Sequence, residues 1–470
     1  AYAFHGGAGG LATAAAWSAE SDADSARLGR PVAGAGDVDG DGYSDVIVSA
    51  HLLSCGETDE GRVFVFHGAS GGLAANAAWS AEGDQSTAKL GRSAAGAGDV
   101  DGDGYADVAA GAEFFDAGET DEGRAFVFHG GSGGLSAGAA WSAESDQSSA
   151  HFGWLTDGVG DVNGDGFSDL IVSADDFDGG QTDEGRLYVY HGGSGGLQTT
   201  AAWTAEPDQD SALLGQHEKA AAGDVDADGY SDVVAAAYLY DAGQTDEGRT
   251  FLYHGGSSGL SAGAVWSAES DQETSQFGFA VAGAGDVDGD GYTDVIVGAS
   301  KLDCGHTDEG RLYLYHGGSG GAATTIAWSA ESDQSTPDFG YVVAAGGDFD
   351  GDGYSDIVVG AYLYDGGQTN EGRAYVFYGN EGPGLSLQPR HTQSDDTPMA
   401  PEGVSDTENA AKSKLLARSP AGRARVKLQY EIRPRGTQFT GTPTGESVSW
   451  SLTDAAGTQI GETMGGLVKS

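Results

Sequence analysis

The chain has 470 residues, 82 of them glycine, with 39% of hydrophobic type and a formal charge of −50. Clear apolar clusters without a collagen triplet exclude a disordered or fibrous chain, and the charge excludes nucleic acid and anionic lipid as partners. No apolar stretch approaches the ~20 residues that a transmembrane segment needs.

Taken in order, the chain opens on Ala1-Tyr-Ala-Phe-His5-Gly-Gly7, which matches the interior of a later stretch, Arg124 to Gly131. It therefore begins inside a repeat, and an export signal is expected upstream. The first acidic loop follows at Asp37-Val-Asp39-Gly-Asp41-Gly42-Tyr43-Ser-Asp45. The same pattern returns from Asp99, Asp161, Asp224, Asp286 and Asp348, at steps of 62, 62, 63, 62 and 62 residues.

Each loop places oxygen-bearing side chains at its first, third, fifth and ninth positions and glycine at its sixth. Alternate residues of a tight turn point at one centre, glycine permits the bend, and the seventh residue offers its backbone carbonyl, as in EF-hand calcium loops. The expected ligand sets are Asp37, Asp39, Asp41, Tyr43 and Asp45, then Asp99, Asp101, Asp103, Tyr105 and Asp107, then Asp161, Asn163, Asp165, Phe167 and Asp169. The other three are Asp224, Asp226, Asp228, Tyr230 and Asp232, then Asp286, Asp288, Asp290, Tyr292 and Asp294, then Asp348, Asp350, Asp352, Tyr354 and Asp356. The expected cofactor is Ca2+, about six ions per chain. Two loops depart from the pattern. Asn163 keeps an oxygen but removes a charge, and Ala227 takes the place of the fourth-position glycine. Even with six ions bound, the chain keeps a charge of roughly −38.

Residues 90–151 show the unit. Small residues at 91–98 suit a strand in a tight space; the acidic loop follows, then Val108–Ala112, a turn, Ala125–His129, a glycine-rich turn and Ala139–Glu144. Short β-type runs between Gly/Asp turns, without helical periodicity, predict an all-β fold, and four strands per ~62 residues predict a propeller blade. The blade units are 1–27 (outer half only), 28–89, 90–151, 152–213, 214–276, 277–338 and 339–391, the last taking its fourth strand from 384–393. The expected fold is thus a seven-bladed β-propeller over 1–391, with its first blade partial. Residues 392–412 read as a polar linker and 413–470 as the start of a β-sandwich-like domain, from the alternation at 426–432 and 448–452.

The stretch that runs from Phe277-Gly278 through Ala-Gly-Ala-Gly-Asp286 to Val295-Ile-Val-Gly-Ala299 resembles the FG-GAP repeat of integrin alpha-subunit propellers. It looks most like the bacterial integrin-alpha-like proteins built from such repeats. Phe152-Gly153, Phe277-Gly278 and Phe339-Gly340 carry the Phe-Gly pair, with Leu-Gly at Leu28, Leu90 and Leu214. The resemblance covers about 1–390 and implies a calcium-binding propeller outside the cell. Integrin propellers carry calcium loops in only some blades, whereas every complete unit here has one. That shifts the emphasis toward metal-dependent rigidity, and no residue of the integrin ligand-binding face carries over.

Other recurrent residues have plainer explanations. Thr58-Asp-Glu-Gly-Arg62 and its copies read as a turn whose Glu and Arg pair across neighbouring blades. His5, His67, His129, His191, His254 and His316 end the third strand, where packing or a turn hydrogen bond is expected, since blades radiate apart. Trp17, Trp79, Trp141, Trp203, Trp266 and Trp328 form a ladder suited to packing between blades or to a sugar platform. Trp154 is out of phase with it and is a candidate contact residue. Cys55 and Cys304 read as isolated thiols. Catalytic motifs are not recognisable, so the expectation is a non-enzymatic, secreted or cell-surface adhesion or protein-recognition module. A calcium-dependent lectin is the alternative, and a non-catalytic part of a secreted hydrolase the third reading.

Overall fold

Valine, isoleucine and aromatic runs separated by Gly/Asp turns pair with their neighbours in sequence, so the sheets form as meanders. The computed structural model describes residues 1–7, 10–216, 220–350 and 352–379, with short strand segments between 390 and 465. It holds five four-stranded antiparallel sheets and one three-stranded sheet in the repeat region, and among the described residues there is no helix. The chain is a β-propeller with six blades. In the 90–151 blade the strands are Ser93–Gly98, Asp107–Ala112, Arg124–Phe128 and Trp141–Glu144, paired in that order. No helix is long and apolar enough to cross a membrane.

The core lies between blades rather than within them. Successive side chains of a strand face opposite ways. On Asp107–Ala112, Val108, Ala110 and Ala112 therefore join Ile47 and Val63 of the preceding blade, with Leu90 of their own blade in the same cluster, while Ala109 joins Phe152 and Leu170 of the next. Five such interblade clusters link the six blades in sequence. Phe152, Phe277, Phe339, Leu90 and Leu214, the residues before the repeat glycine, are among the largest fully buried side chains. They plug these seams. Near the axis there is no room for bulk: a Cβ on Gly111 would lie 1.8 Å from the Gly153 carbonyl oxygen.

The tryptophan ladder also fastens blade to blade. Trp79 Nε1 donates to the Ser136 carbonyl at 2.9 Å, and Trp17, Trp141, Trp203 and Trp266 repeat the bond to Ala74, Gln198, Ser261 and Ala323. Each indole also meets an aromatic ring of the next blade edge-on, as Trp79 does with Phe128 at 4.8 Å. The sugar-platform alternative has to share the ladder with these contacts.

Several expectations need correction or relocation. Glu60 Oε1 accepts the backbone N–H groups of Cys55, Gly56 and Glu57, and Arg62 meets Glu82 at 3.1 Å. That pairing closes a turn and an edge within one blade, not across two, because the third and fourth strands put Arg62 opposite Glu82. Cys55 and Cys304 are free. The last repeat shows three strands, while Arg390–Thr392 pairs with Ala410–Ala417, which pairs with Thr458–Gly465. The fourth strand expected from 384–393 lies mostly outside the described residues, as does most of the expected C-terminal domain. Within it, Arg425–Val426 pairs with Ser451–Leu452 and Gln429–Tyr430 with Gly445–Glu446.

Among the described residues of 1–27, Tyr2–Ala3 pairs with Trp17–Ser18. Two contacts place them. Gly7 N donates to the Phe349 carbonyl at 2.9 Å, the same bond that Gly131, Gly193, Gly256 and Gly318 make to the second loop residue of the preceding blade. On the other side, Trp17 bonds to Ala74 of the 28–89 blade.

Candidate metal centres

Each acidic loop joins the inner two strands of a blade. A register shift at its mouth, between Gly34 and Gly36 and at the matching glycines of the other blades, turns the chain out of the sheet. Inside the loop, carboxylates order the backbone. Asp37 Oδ1 accepts from Gly40 N at 2.8 Å and Asp41 N at 3.1 Å, and Asp37 Oδ2 from Gly42 N at 2.9 Å. Asp41 Oδ1 accepts from Tyr43 N at 2.9 Å. The ninth carboxylate is fixed from two sides: Asp45 accepts Val38 N at 2.8 Å and Gly68 N at 2.7 Å, and Asp107, Asp169, Asp232, Asp294 and Asp356 repeat the pair. One ligand oxygen each of Asp37, Asp39 and Asp41 lies within 4.8 Å of the others.

Electrostatics mark these carboxylates as crowded. Burial pushes Asp107 and Asp286 up to about 6, Asp169 and Asp224 to about 7, and Asp232 to about 8. Backbone N–H bonds oppose the shift, and neighbouring carboxylates add to it. Asp286 Oδ1 is buried with no hydrogen-bond partner. Water is withdrawn here from several negative groups with no positive side chain to replace it, apart from a histidine, so an all-oxygen set of this kind fits a hard divalent cation.

Two features were not legible as site features in single loops. The first is the histidine at the end of the third strand. His67 Nδ1 lies 2.9 Å from Asp39 Oδ2, His129 3.0 Å from Asp101, His254 3.1 Å from Asp226 and His316 3.4 Å from Asp288. It orients the third-position carboxylate rather than merely packing, a supporting role such partners commonly take beside a ligand. The signal was a constant offset of 28 residues between that aspartate and the histidine. Asn163 breaks the set: its amide donates instead to Asp165 Oδ2 at 3.0 Å.

The second feature is that the loops are linked to one another. Ala106 N donates to the Asp37 carbonyl at 3.0 Å, and Ser168, Ser231, Thr293 and Ser355 repeat the bond to Asp99, Asp161, Asp224 and Asp286. The seventh-position ring of one loop covers the fourth-position glycine of the preceding one. A Cβ on Gly40 would meet the Tyr105 ring at 2.5 Å, and Gly102, Gly164 and Gly289 stand likewise under Phe167, Tyr230 and Tyr354. Ala227, the exception, is held at φ 56°, a left-handed conformation that costs a non-glycine residue energy. Trp154 lies at the far end of its strand from the acidic loop, under the Arg92 guanidinium at 3.9 Å.

Six segments, 31–66, 90–128, 152–190, 218–253, 277–315 and 339–377, match the FG-GAP repeat. Among curated proteins the chain is similar to integrin alpha pat-2 of Caenorhabditis briggsae, 31% identical over 223 residues, covering 43% of this chain and 17% of that protein. Integrin alpha-5 of Xenopus laevis is 30% identical over 181 residues, covering 36% and 17%, and integrin alpha-E of Mus musculus 34% over 148 residues, covering 29% and 12%. The chain spans 12–17% of the length of these relatives.

Proposed function

Because the chain belongs to the FG-GAP repeat, integrin-alpha-like β-propeller family, we propose that it is an extracellular adhesion or protein-recognition module, not an enzyme, whose ring is rigidified by about six calcium ions. The observation that carries the reading is the linkage of the acidic loops. Each loop holds its own carboxylates; five of the six also receive the next loop's backbone, and four of them its aromatic ring. Calcium, when bound, supplies the positive charge that these buried carboxylates lack. The aspartates hold the ion, the histidines orient the third-position carboxylates, and the cross-blade bonds pass the local order around the ring.

We also place seven units in that ring. The segment 1–27 makes the standard turn bond to the 339–379 blade through Gly7 and the standard tryptophan bond to the 28–89 blade through Trp17. This supports closure with the seventh position held by the outer half of a blade. An extracellular setting follows from the ligand chemistry, because extracellular modules bind calcium at roughly 0.1–1 mM, well above cytosolic levels. Recognition is assigned to the end of the blades away from the loops, where side chains differ from unit to unit.

The test is metal content and selectivity. After equilibration with calcium, elemental analysis should find about six ions per chain. Calcium should restore the melting temperature of a chelated sample at concentrations where magnesium, which demands a tighter octahedron, does not. Two ions or fewer, or equal rescue by magnesium, would reject the rigidifying role. The recognition half is tested separately, by calcium-dependent capture of cell-surface proteins that added monosaccharides do not compete away.

A further inference from the structure

The far end of the 152–213 blade carries a side-chain set that no other blade repeats. His151 precedes the strand Phe152–Gly160, and Asp175 and Asp176 follow its partner Asp169–Ala174. Since Phe152 pairs with Ala174, the three residues meet at one end of the inner strands, a six-residue strand (roughly 20 Å) from the acidic loop at the other. Equivalent positions elsewhere hold Lys89 with Glu113-Phe114, or Gln276 with Ser300-Lys301. The propeller fold therefore does not require this set.

Its geometry is unfinished as a hydrogen-bonded cluster. Asp175 is completely buried; its Oδ2 accepts from Gln216 Nε2 at 2.7 Å, while its Oδ1 has no hydrogen-bond partner among the described residues. That free oxygen points at His151 Nδ1, 3.9 Å away. Asp176 Oδ2 lies 2.8 Å from the same nitrogen, yet Nδ1 lacks an aligned hydrogen bond. Among the described residues, the nearby cations Lys89 and Arg92 are taken by Glu113 at 3.5 and 3.4 Å. A buried, unpartnered carboxylate oxygen is costly to keep.

The geometry points to a second class of metal site, in which His151 Nδ1, Asp175 Oδ1 and Asp176 Oδ2 bind one divalent transition-metal ion of the zinc type. One ligand atom from each of the three residues already lies within 4.8 Å of the other two. Ligands about 2.0–2.2 Å from a tetrahedral zinc stand roughly 3.4 Å apart, between the two separations observed, so small carboxylate rotations suffice. Gln216 supplies the outer hydrogen bond that holds Asp175 with Oδ1 forward. An imidazole nitrogen with two carboxylates favours zinc or cobalt over calcium and magnesium, which take oxygen. His151 and Asp176 keep 17% and 28% of their side-chain surface exposed, which leaves the fourth position to water or to a donor from a bound partner.

The experiment uses the whole chain with its acidic loops kept saturated with calcium. Zinc titrated by equilibrium dialysis should add one ion per chain. His151→Gln and Asp176→Asn should each weaken that uptake roughly a hundredfold or more. Cobalt added to the unmodified protein should give the intense visible bands of a low-coordinate site with a nitrogen ligand. Zinc uptake unaltered by His151→Gln, or only the weak spectrum of six-coordinate cobalt, would overturn the assignment, and the second measurement holds even if a variant folds poorly.

Discussion

Along each blade, the loop end of the inner strands keeps one pattern, with departures such as Asn163 and Ala227, whereas the opposite end changes from one unit to the next. At the first, Asp45, Asp107, Asp169, Asp232, Asp294 and Asp356 all accept the same pair of backbone bonds. At the second, the residues after the second strand are His51, Glu113, Asp175, Tyr238, Ser300 and Tyr362. They form unlike local structures: the Lys89–Glu113 ion pair, the Tyr238–Gln216 hydrogen bond at 2.5 Å and the Tyr341–Tyr362 ring contact at 4.5 Å. Where every unit needs the same residues, the constraint is the fold and, in the proposed function, its cations. Where units differ, the fold is indifferent and the side chains are free for recognition.

The largest test of that contrast is removal of calcium. With extracellular calcium near 1 mM and a Kd of roughly 0.1 mM, each site stabilises the folded state by about 1.4 kcal/mol, and six independent sites by about 8 kcal/mol. Chelation should lower the melting temperature by many degrees, and Asp41→Ala should reproduce about one-sixth of the loss. Tyr362→Ala, at the far end, should leave the calcium-dependent increment untouched; an equal response at both ends would break the comparison.

Phe277→Ala comes next. Its ring is buried between two blades, so the truncation should cost about 3–5 kcal/mol in denaturant unfolding with calcium present. A loss confined to calcium-free samples would instead place the strength of the seam in the loops.

A pH titration sharpens the loop end further. Asp169, Asp224 and Asp232 have folded-state values of about 7, 7 and 8, above their ordinary range near 4, because burial penalises the charged form. A raised value means that the folded state holds its proton longer than the unfolded chain does. The stability this contributes is present at low pH and lost as pH rises through the folded values. Metal-free protein should therefore melt at a higher temperature at pH 5.5 than at pH 8, whereas calcium-saturated protein should not, since calcium and protons compete for the same oxygens. A metal-free melting temperature that rises across this range would contradict the crowding of the loops.

The smallest effect belongs to the outer edge. Arg62 and Glu82 are both about one-third exposed and water screens them, so Glu82→Gln should change stability by at most about 1 kcal/mol. A larger loss would mean that the edge pairs tie blades together after all.

The amino-acid sequence by itself determined the repeat, the strand order within a blade and the regular spacing of the carboxylates in each loop. All of these arise within about 60 residues, from period-two alternation, Gly/Asp turns and the local reach of short carboxylates. His67 at Asp39, Tyr105 over Gly40, and Gly7 at Phe349 were decided only by the tertiary structure. So was the direction of the Arg62 pairing, which the sequence pattern placed across blades and the sheet register placed within one. The physical reason is that a blade has no core of its own. Each buries its apolar faces against its neighbours, so the angle and spacing of neighbouring sheets fix which distant side chains meet.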